Sequence, residues 1–286
     1  MSGTQSQFTV SLVTYKTEIP EIMPVISGVL ASSCCAFYIV DNGNDSVLAA
    51  EIAALQSEKI IYIPQKNRGF GAGHNVAIRR SMKEGIPFHI IVNPDISFVP
   101  GTLEKIVSFM EKTPDAGLVM PETLNPDGSI QHNCKLVPTP ADLIFKRFMP
   151  SFLKRKMMER FLMMEYDHHT VLEVPYLCGC FMAFRNSILK KSGLFDERFF
   201  LYPEDIDITR RIWHTGYRAL YYPEASVIHA HAQASYKNIK MLWCHIRNMI
   251  GYFNKWGWFF DPLRRDLNCR ILAANREKRL RNRGDG

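Results

Sequence analysis

Four short apolar runs in the first hundred residues limit what this chain can become. They are FTVSLVTY (8–15), AFYIVDN (36–42), KIIYIP (59–64) and FHIIVNPD (88–95). Each is rich in β-branched or aromatic side chains, and each reads as a strand. Their apolar residues are continuous rather than alternating, which predicts strands covered on both faces. Helical segments are expected between and after them, over 71–84 and 100–112. Strands that alternate with helices predict an α/β fold with a mostly parallel central sheet and helices on both faces. In such sheets a ligand binds beyond the carboxyl ends of the strands. Those ends here carry Thr14, Asp41 and Asn42, and Asn93 and Asp95.

Beyond residue 120 the pattern loosens. Pro121, Pro126, Pro138, Pro140 and Pro150 punctuate the stretch 121–173. Within it, IFKRFMPSFLKRKMMERFLMMEY (144–166) is basic and rich in Met and Phe. It reads either as a pair of core-packing helices or as a surface for lipid. VPYLCGCFMAF (174–184) is expected to be a strand and EDIDITRRIWHTG (204–216) a helix. RALYYP (218–223) and ASVIHAH (225–231) are expected to be short strands, and 236–256 a long helix. Neither a repeat nor a low-complexity linker interrupts the chain. A catalytic domain over 1–235, with halves meeting near 120, and a helical basic extension over 236–286 fit this order.

Composition narrows the class. With 47% hydrophobic and 22% charged residues among 286, global disorder and fibrous repeats are excluded. The formal charge is +7, so an anionic partner is expected: nucleic acid, a phosphorylated substrate or an anionic membrane face. The excess concentrates at 144–160 and in the tail 264–286, and no nucleic-acid motif accompanies it, so nucleic acid is set aside. Seven cysteines, an odd number, follow an N-terminus without a signal-like pattern. Reduced thiols and a cytoplasmic setting are expected. Cys178 and Cys180 lack a second pair for zinc. No uncharged apolar run reaches the 18 or so residues a membrane span needs.

Five clusters carry chemistry. Asp41-Asn42-Gly43 can hydrogen-bond a base or ribose, or can simply form an Asx-turn. Asn67-Arg68-Gly69 opens the stretch NRGFGAGHN (67–75), whose glycines expose backbone N–H groups at a helix start, suited to phosphate. It lacks the G-K-[S/T] of a Walker loop. Asn93-Pro94-Asp95 places a carboxylate where a divalent metal on a diphosphate would sit, or is an ordinary turn. Glu204 and Asp205 open a helix behind the aromatic lead-in FDERFFLYP, which suggests a partly buried carboxylate pair. Asp207 and Arg211 are spaced to pair along that helix. His229 and His231 share one strand face, which suits a metal or a diphosphate.

The order of these motifs resembles the glycosyltransferase family 2 enzymes with a GT-A fold. S-L-V-T-Y, V-D-N-G, N-R-G-F-G-A-G-H-N, N-P-D, C-G-C-F-M-A-F, F-D-E-R-F-F-L-Y-P-E-D-I-D-I and V-I-H-A-H follow one another across residues 8–235. The stretches H-A-Q-A-S-Y-K-N and Y-F-N-K-W-G-W-F-F-D are similar to bacterial rhamnosyltransferases that build O-antigen and related polysaccharides. The resemblance implies inverting transfer of a sugar, best L-rhamnose from dTDP-rhamnose, to a polyprenyl-diphosphate-linked glycan. A UDP-hexose or GDP-sugar donor, or a silent nucleotide-binding scaffold, is the alternative.

Under the resemblance, Asp205 is the general base and Glu204 holds the acceptor. The donor site takes Thr14, Tyr15, Asp41, Asn42, Asn67, Arg68, Gly69, Gly71, Asn75 and Asn93. Asp95 and His229, with His231 as the alternative, contact Mg²⁺ or Mn²⁺. Asn93 stands where the family's Asp-x-Asp motif has its first carboxylate, which removes one charge from the metal site. Trp256, Trp258, Phe259 and Phe260 beside the basic tail fit peripheral attachment to an anionic leaflet, the cytoplasmic face of the inner membrane.

Overall fold

The computed structural model describes residues 7–143, 150–166, 168–230 and 239–284. The four apolar runs form β1 (Phe8–Thr14), β2 (Ala36–Asp41), β3 (Ile60–Pro64) and β4 (Phe88–Val92). β1 lies between β2 and β4, parallel to both, and β3 extends the sheet from β2. Every residue of β1, β2 and β4 is buried, as continuous apolar strands require.

Past β4 the sheet changes direction. A two-residue strand, β5 (Ile96–Ser97), leaves β4's turn, and β6 (Ala116–Leu124) and β7 (Cys134–Lys135) follow it. The expected strand over 174–184 is split into β9 (Tyr176–Leu177) and β10 (Phe181–Arg185), because the Cys178–Cys180 turn bends away so that the Gly179 N–H bonds Asp205. The two strands expected over 218–231 are one, β11 (Arg218–His229); a register shift between Tyr222 and Ser226 absorbs Pro223. The order is β3-β2-β1-β4-β10-β6-β11-β5, with β8 (Leu172–Glu173) paired to β11. β10 runs antiparallel to both neighbours, and β7 pairs with β9 in a separate ladder.

Helices cover both faces. On one face α1 (Ile19–Leu30), α2 (Ser46–Ala54) and α4 (Thr102–Lys112) pack on Phe8, Val10, Leu12, Phe37 and Ile90. α1 buries Ile22, Val25, Ile26 and Val29, a helical stripe. On the other face lie α3 (Phe70–Lys83), α7 (Asn186–Ser192) and α8 (Glu204–His214). α9 (Ile239–Trp256) and α10 (Pro262–Gly284) join that second core through Tyr252, Phe253, Leu267 and Ile271. A hydrogen-bonded chain from Ser81 through Thr9, His89 and Ser11 to His74 runs beneath α3. Burial holds both imidazoles neutral, His89 down to about 3.

Two segments differ in part from expectation. α5 (Pro140–Leu143) and α6 (Ser151–Phe161) occupy part of 140–161, and residues 144–149 lie outside the described part. α6 buries Phe161 in the second core with Met158 packed against it, but leaves Phe152 71% exposed, so only its last turns pack on the core. Trp256 and Trp258 pack against the core rather than facing outward; Trp256 Nε1 donates to Asp207 Oδ1 at 2.8 Å. Only Phe259 and Phe260 of that aromatic cluster are exposed.

Candidate active site

The parallel strand ends converge as expected. Thr14 closes β1 and donates to Asp41 Oδ1 at 3.2 Å. Asp41 is fully buried, and its two oxygens also take the Gly43 and Asp45 N–H groups and the Tyr62 hydroxyl. Four internal donors fill its acceptor positions, so Asp41 braces the 42–45 loop from beneath. Burial and the Asp41 carboxylate push the Tyr62 phenol up. Tyr15, the next residue after Thr14, is half exposed.

The glycine-rich stretch is bound to its neighbours at close range. Asn42 Nδ2 donates to Gly69 O at 3.2 Å, and Asn42 Oδ1 accepts from Gln65. Asn67 Oδ1 accepts the Gly69 N–H at 3.0 Å. Gly69 adopts φ +98°, and a Cβ there would sit 2.2 Å from Phe200 O, so only glycine fits. At Gly71 a Cβ would meet Phe195 Cβ at 2.7 Å. Arg68 is exposed and pairs with Glu197 at 3.1 Å. Asn75 is buried, and its amide clamps Phe195 N and O and reaches Glu197. Thus Asn42, Asn67 and Gly69 are bonded to one another, Tyr15 and Arg68 are exposed, and Asn75 holds the 195–197 segment in place.

The loop after β4 brings Asp95 to His229. Asp95 Oδ1 lies 3.2 Å from His229 Nε2, and Asp95 O accepts the Ala230 N–H. Gln131 fixes the ring. Its Nε2 donates to Asn125 Oδ1 and His229 O, so its Oε1 must be the atom 2.9 Å from His229 Nδ1. Nδ1 is therefore the donor to Gln131, which turns Nε2 toward the Asp95 carboxylate oxygen. An imidazole nitrogen and a carboxylate oxygen at that separation can be bridged by a proton or a cation, so the residues fit a divalent metal. Among the described residues no group of three or more His, Cys, Asp or Glu could hold one unaided. His231 lies outside the described residues.

The first turn of α8 carries the carboxylate pair. Asp205 Oδ2 accepts from the Tyr176 hydroxyl at 2.9 Å and the Gly179 N–H at 3.0 Å, and Oδ1 from the Ile206 N–H. Burial pushes Asp205 up, opposed by Lys135, Tyr176 and the backbone donors. Glu204 is pushed well up by burial and by the charge of Asp205. Its Oε2 is buried without a hydrogen-bond partner. Asp207 pairs with Arg211 at 2.8 Å, as their spacing predicts, and also takes Lys255 and Trp256. One turn joins the two centres: Asn93 N–H donates to Cys180 O, and its neighbour Gly179 donates to Asp205. Gln131, Lys135 and Tyr176 were not singled out from sequence. They sit in or beside the two-residue strands β7 and β9, too short to show a period.

A family model described as "Glycosyltransferase like family 2" matches residues 9–249. The chain belongs to this family. The glycosyltransferase-like chain is 27% identical over 178 residues to an N-acetylglucosaminyl-diphospho-decaprenol L-rhamnosyltransferase of Mycobacterium tuberculosis. That match covers 61% of this chain and 58% of the relative, so it spans little more than half of the mycobacterial protein. It is 25% identical over 221 residues to the rhamnosyltransferase WbbL of Escherichia coli, covering 75% and 80%. Among solved structures, a GalNAc transferase with UDP, GalNAc and Mn²⁺ superposes with a TM-score of 0.62 at 14% identity, covering 88% of this chain and 48% of that one. A mannosyltransferase of Pyrobaculum calidifontis with GDP-Man and Mn²⁺ gives 0.56 at 17%, covering 93% and 74%. The fold is therefore GT-A, a central, mostly parallel sheet with helices around it.

Proposed function

We propose that this protein is an inverting glycosyltransferase that moves L-rhamnose from dTDP-rhamnose to a polyprenyl-diphosphate-linked glycan. The observation that carries the reading is the buried Asp205 carboxylate, oriented by three donors and joined through the Cys178–Cys180 turn to the Asp95–His229 pair. Inverting transfer needs one base to take the proton of the acceptor hydroxyl as it attacks the anomeric carbon. Asp205 is that base. Tyr176 and Gly179 hold its Oδ2, which leaves Oδ1 with a single backbone bond from Ile206. Glu204, protonated beside it, donates to an acceptor hydroxyl.

Thr14, Tyr15 and Asn42 border the base and ribose, with Asp41 bracing their loop. Arg68 and the Gly69–Gly71 backbone line the diphosphate. Asp95 and His229 would hold Mg²⁺ or Mn²⁺ with Asn93 beside them. Bound there, the cation would supply positive charge to the departing diphosphate. Support for the sugar and the acceptor comes from the names of the mycobacterial and Escherichia coli relatives. A UDP-hexose or GDP-sugar donor would use the same residues.

Among the described residues no helix is long and apolar enough to cross a membrane. Phe259 and Phe260, 73% and 94% exposed at the start of the basic α10, support peripheral attachment to the anionic cytoplasmic face of the inner membrane.

The test is a thermal-shift panel of dTDP-rhamnose, UDP-glucose, UDP-galactose and GDP-mannose, with and without Mn²⁺. It is followed by transfer to an N-acetylglucosaminyl-diphospho-lipid. A selective shift with dTDP-rhamnose that Mn²⁺ enhances, and transfer abolished by Asp205→Asn, are expected. A shift with a UDP or GDP sugar alone discards rhamnose. Full transfer by Asp205→Asn discards the base.

A further inference from the structure

The surroundings of Asp205 hold more charge logic than a lone base requires. Lys135 of β7 stands opposite Tyr176 of β9 in the ladder register. Its Nζ lies 5.5 Å from the Tyr176 ring centroid and donates to Cys178 Sγ at 3.3 Å. The Tyr176 hydroxyl then donates to Asp205 Oδ2 at 2.9 Å. Glu204 adjoins Asp205 on α8, and Cys244 of α9 faces Glu204.

The neutral members of this group can be named. Burial pushes up the thiols of Cys134, Cys180 and Cys244. Burial and the Asp205 charge push up the Tyr176 phenol, so it remains a donor. Burial alone would lower Lys135, but Cys178 and Asp205 outweigh it and the ammonium stays charged. Two adjacent buried carboxyls therefore stand near one cation: Asp205 points to Tyr176 and Gly179, on the side of the Lys135–Cys178 bond, whereas Glu204 turns toward Gly71. Two adjacent buried carboxylates do not both ionise readily, and the pair titrates as a unit. An ammonium nearer one of them decides which keeps the proton.

We propose that Lys135 is a positioning residue whose charge keeps Asp205 ionised, so that the proton of the carboxyl pair resides on Glu204. The consequence for catalysis rests on the reading of Asp205 as the base. In the transfer, the acceptor O–H bond breaks toward Asp205, the acceptor oxygen bonds the anomeric carbon, and the carbon–diphosphate bond breaks. Glu204 keeps its own proton throughout.

Infrared difference spectra of the full chain test the proton assignment without any substrate. At neutral pH the wild type is expected to show one buried carboxylic-acid carbonyl band that Glu204→Gln removes. Lys135→Met should add a second band, which Asp205→Asn removes, and Lys135→Arg should restore the single band. If Lys135→Met does not fold, Lys135→Gln replaces it. Equal spectra for Lys135→Arg and the neutral variant overturn the proposal, as does an unchanged spectrum in both.

The acidic limb of kcat/KM for dTDP-rhamnose transfer should rise by about one pH unit or more in the neutral variant. The dTDP-rhamnose thermal shift should stay as in the wild type, and Lys135→Arg should recover the limb. An unmoved limb also overturns the proposal. Absence of transfer by the wild type with the infrared pattern intact removes the base reading and leaves the proton assignment standing.

Discussion

Gly69 is the point where the glycine-rich loop and the segment before α8 touch, and replacing it tests that junction. In Gly69→Ala the new Cβ meets Phe200 O at 2.2 Å and Phe200 C and Cα at 2.8 Å, all backbone atoms that no rotamer change can move. The backbone there, φ +98° and ψ 174°, lies in a region essentially restricted to glycine, which costs an alanine about 1–3 kcal/mol. Moving Phe200 aside also breaks the Phe70 N–H bond to Phe200 O, another ~1 kcal/mol. The sum is about 2–4 kcal/mol. Unfolding entropy near 2.1 cal/mol/K per residue gives a 286-residue chain about 0.6 kcal/mol/K, so Tm should fall by about 3–7 °C.

Gly85→Ala is the control. Its φ is +75° and nothing lies within 4 Å of the added Cβ, so only the left-handed backbone penalises it. That cost is about 1–2 kcal/mol, or roughly 2–3 °C. Differential scanning calorimetry reads both, and a dTDP-rhamnose thermal shift should vanish in Gly69→Ala and persist in Gly85→Ala. A Tm loss for Gly69→Ala no larger than that of Gly85→Ala would refute the reasoning.

Three other perturbations have defined outcomes. Asp261→Asn leaves the buried Arg210 guanidinium without its carboxylate, 2.9 Å away in the native pair, and should cost about 3–5 kcal/mol, read as a Tm loss of about 5–8 °C. Glu204, an acid raised above 4.5 in the folded state, holds its proton to higher pH than in the unfolded chain, so its contribution to stability declines as pH climbs from there toward the folded value. Glu204→Gln lacks that slope, and its Tm advantage over wild type should widen as pH rises above 4.5; a constant gap would refute the assignment. Phe259→Ser with Phe260→Ser should leave Tm within about 1–2 °C, because both rings are exposed, yet abolish co-sedimentation with phosphatidylglycerol vesicles.

The strands that build the site were legible because burial on both faces writes an unbroken apolar run. The glycine stretch, the N-P-D turn and the carboxylate pair were legible as residue types at strand and helix ends. What escaped was what only distant contacts decide. α1 was hidden by Pro20 and Pro24, although one sits in the first turn and the other is tolerated on a helix that buries four aliphatic side chains. β6 was hidden by Pro121, which the sheet accommodates beside Tyr222. The aromatic tail split in two: Trp256 fills a place between Arg210 and Asp207, while Phe259 and Phe260 have nothing to cover them. Gln131 sets the His229 tautomer from 98 residues away, a relation no local pattern carries.

The insertion of β10 between β4 and β6 has a consequence during synthesis. β4 is wholly buried in the finished sheet, and on one side it meets β1, which the ribosome has already released. Its other side is completed by Phe181–Arg185, about ninety residues further along. At roughly 5–20 residues per second the nascent chain carries that open edge for several seconds or more. Throughout that interval FHIIV is a template for any other extended strand, including the same strand on a neighbouring nascent chain. The yield of folded protein should therefore depend on polysome crowding and holdase supply more than on the stability of the finished sheet.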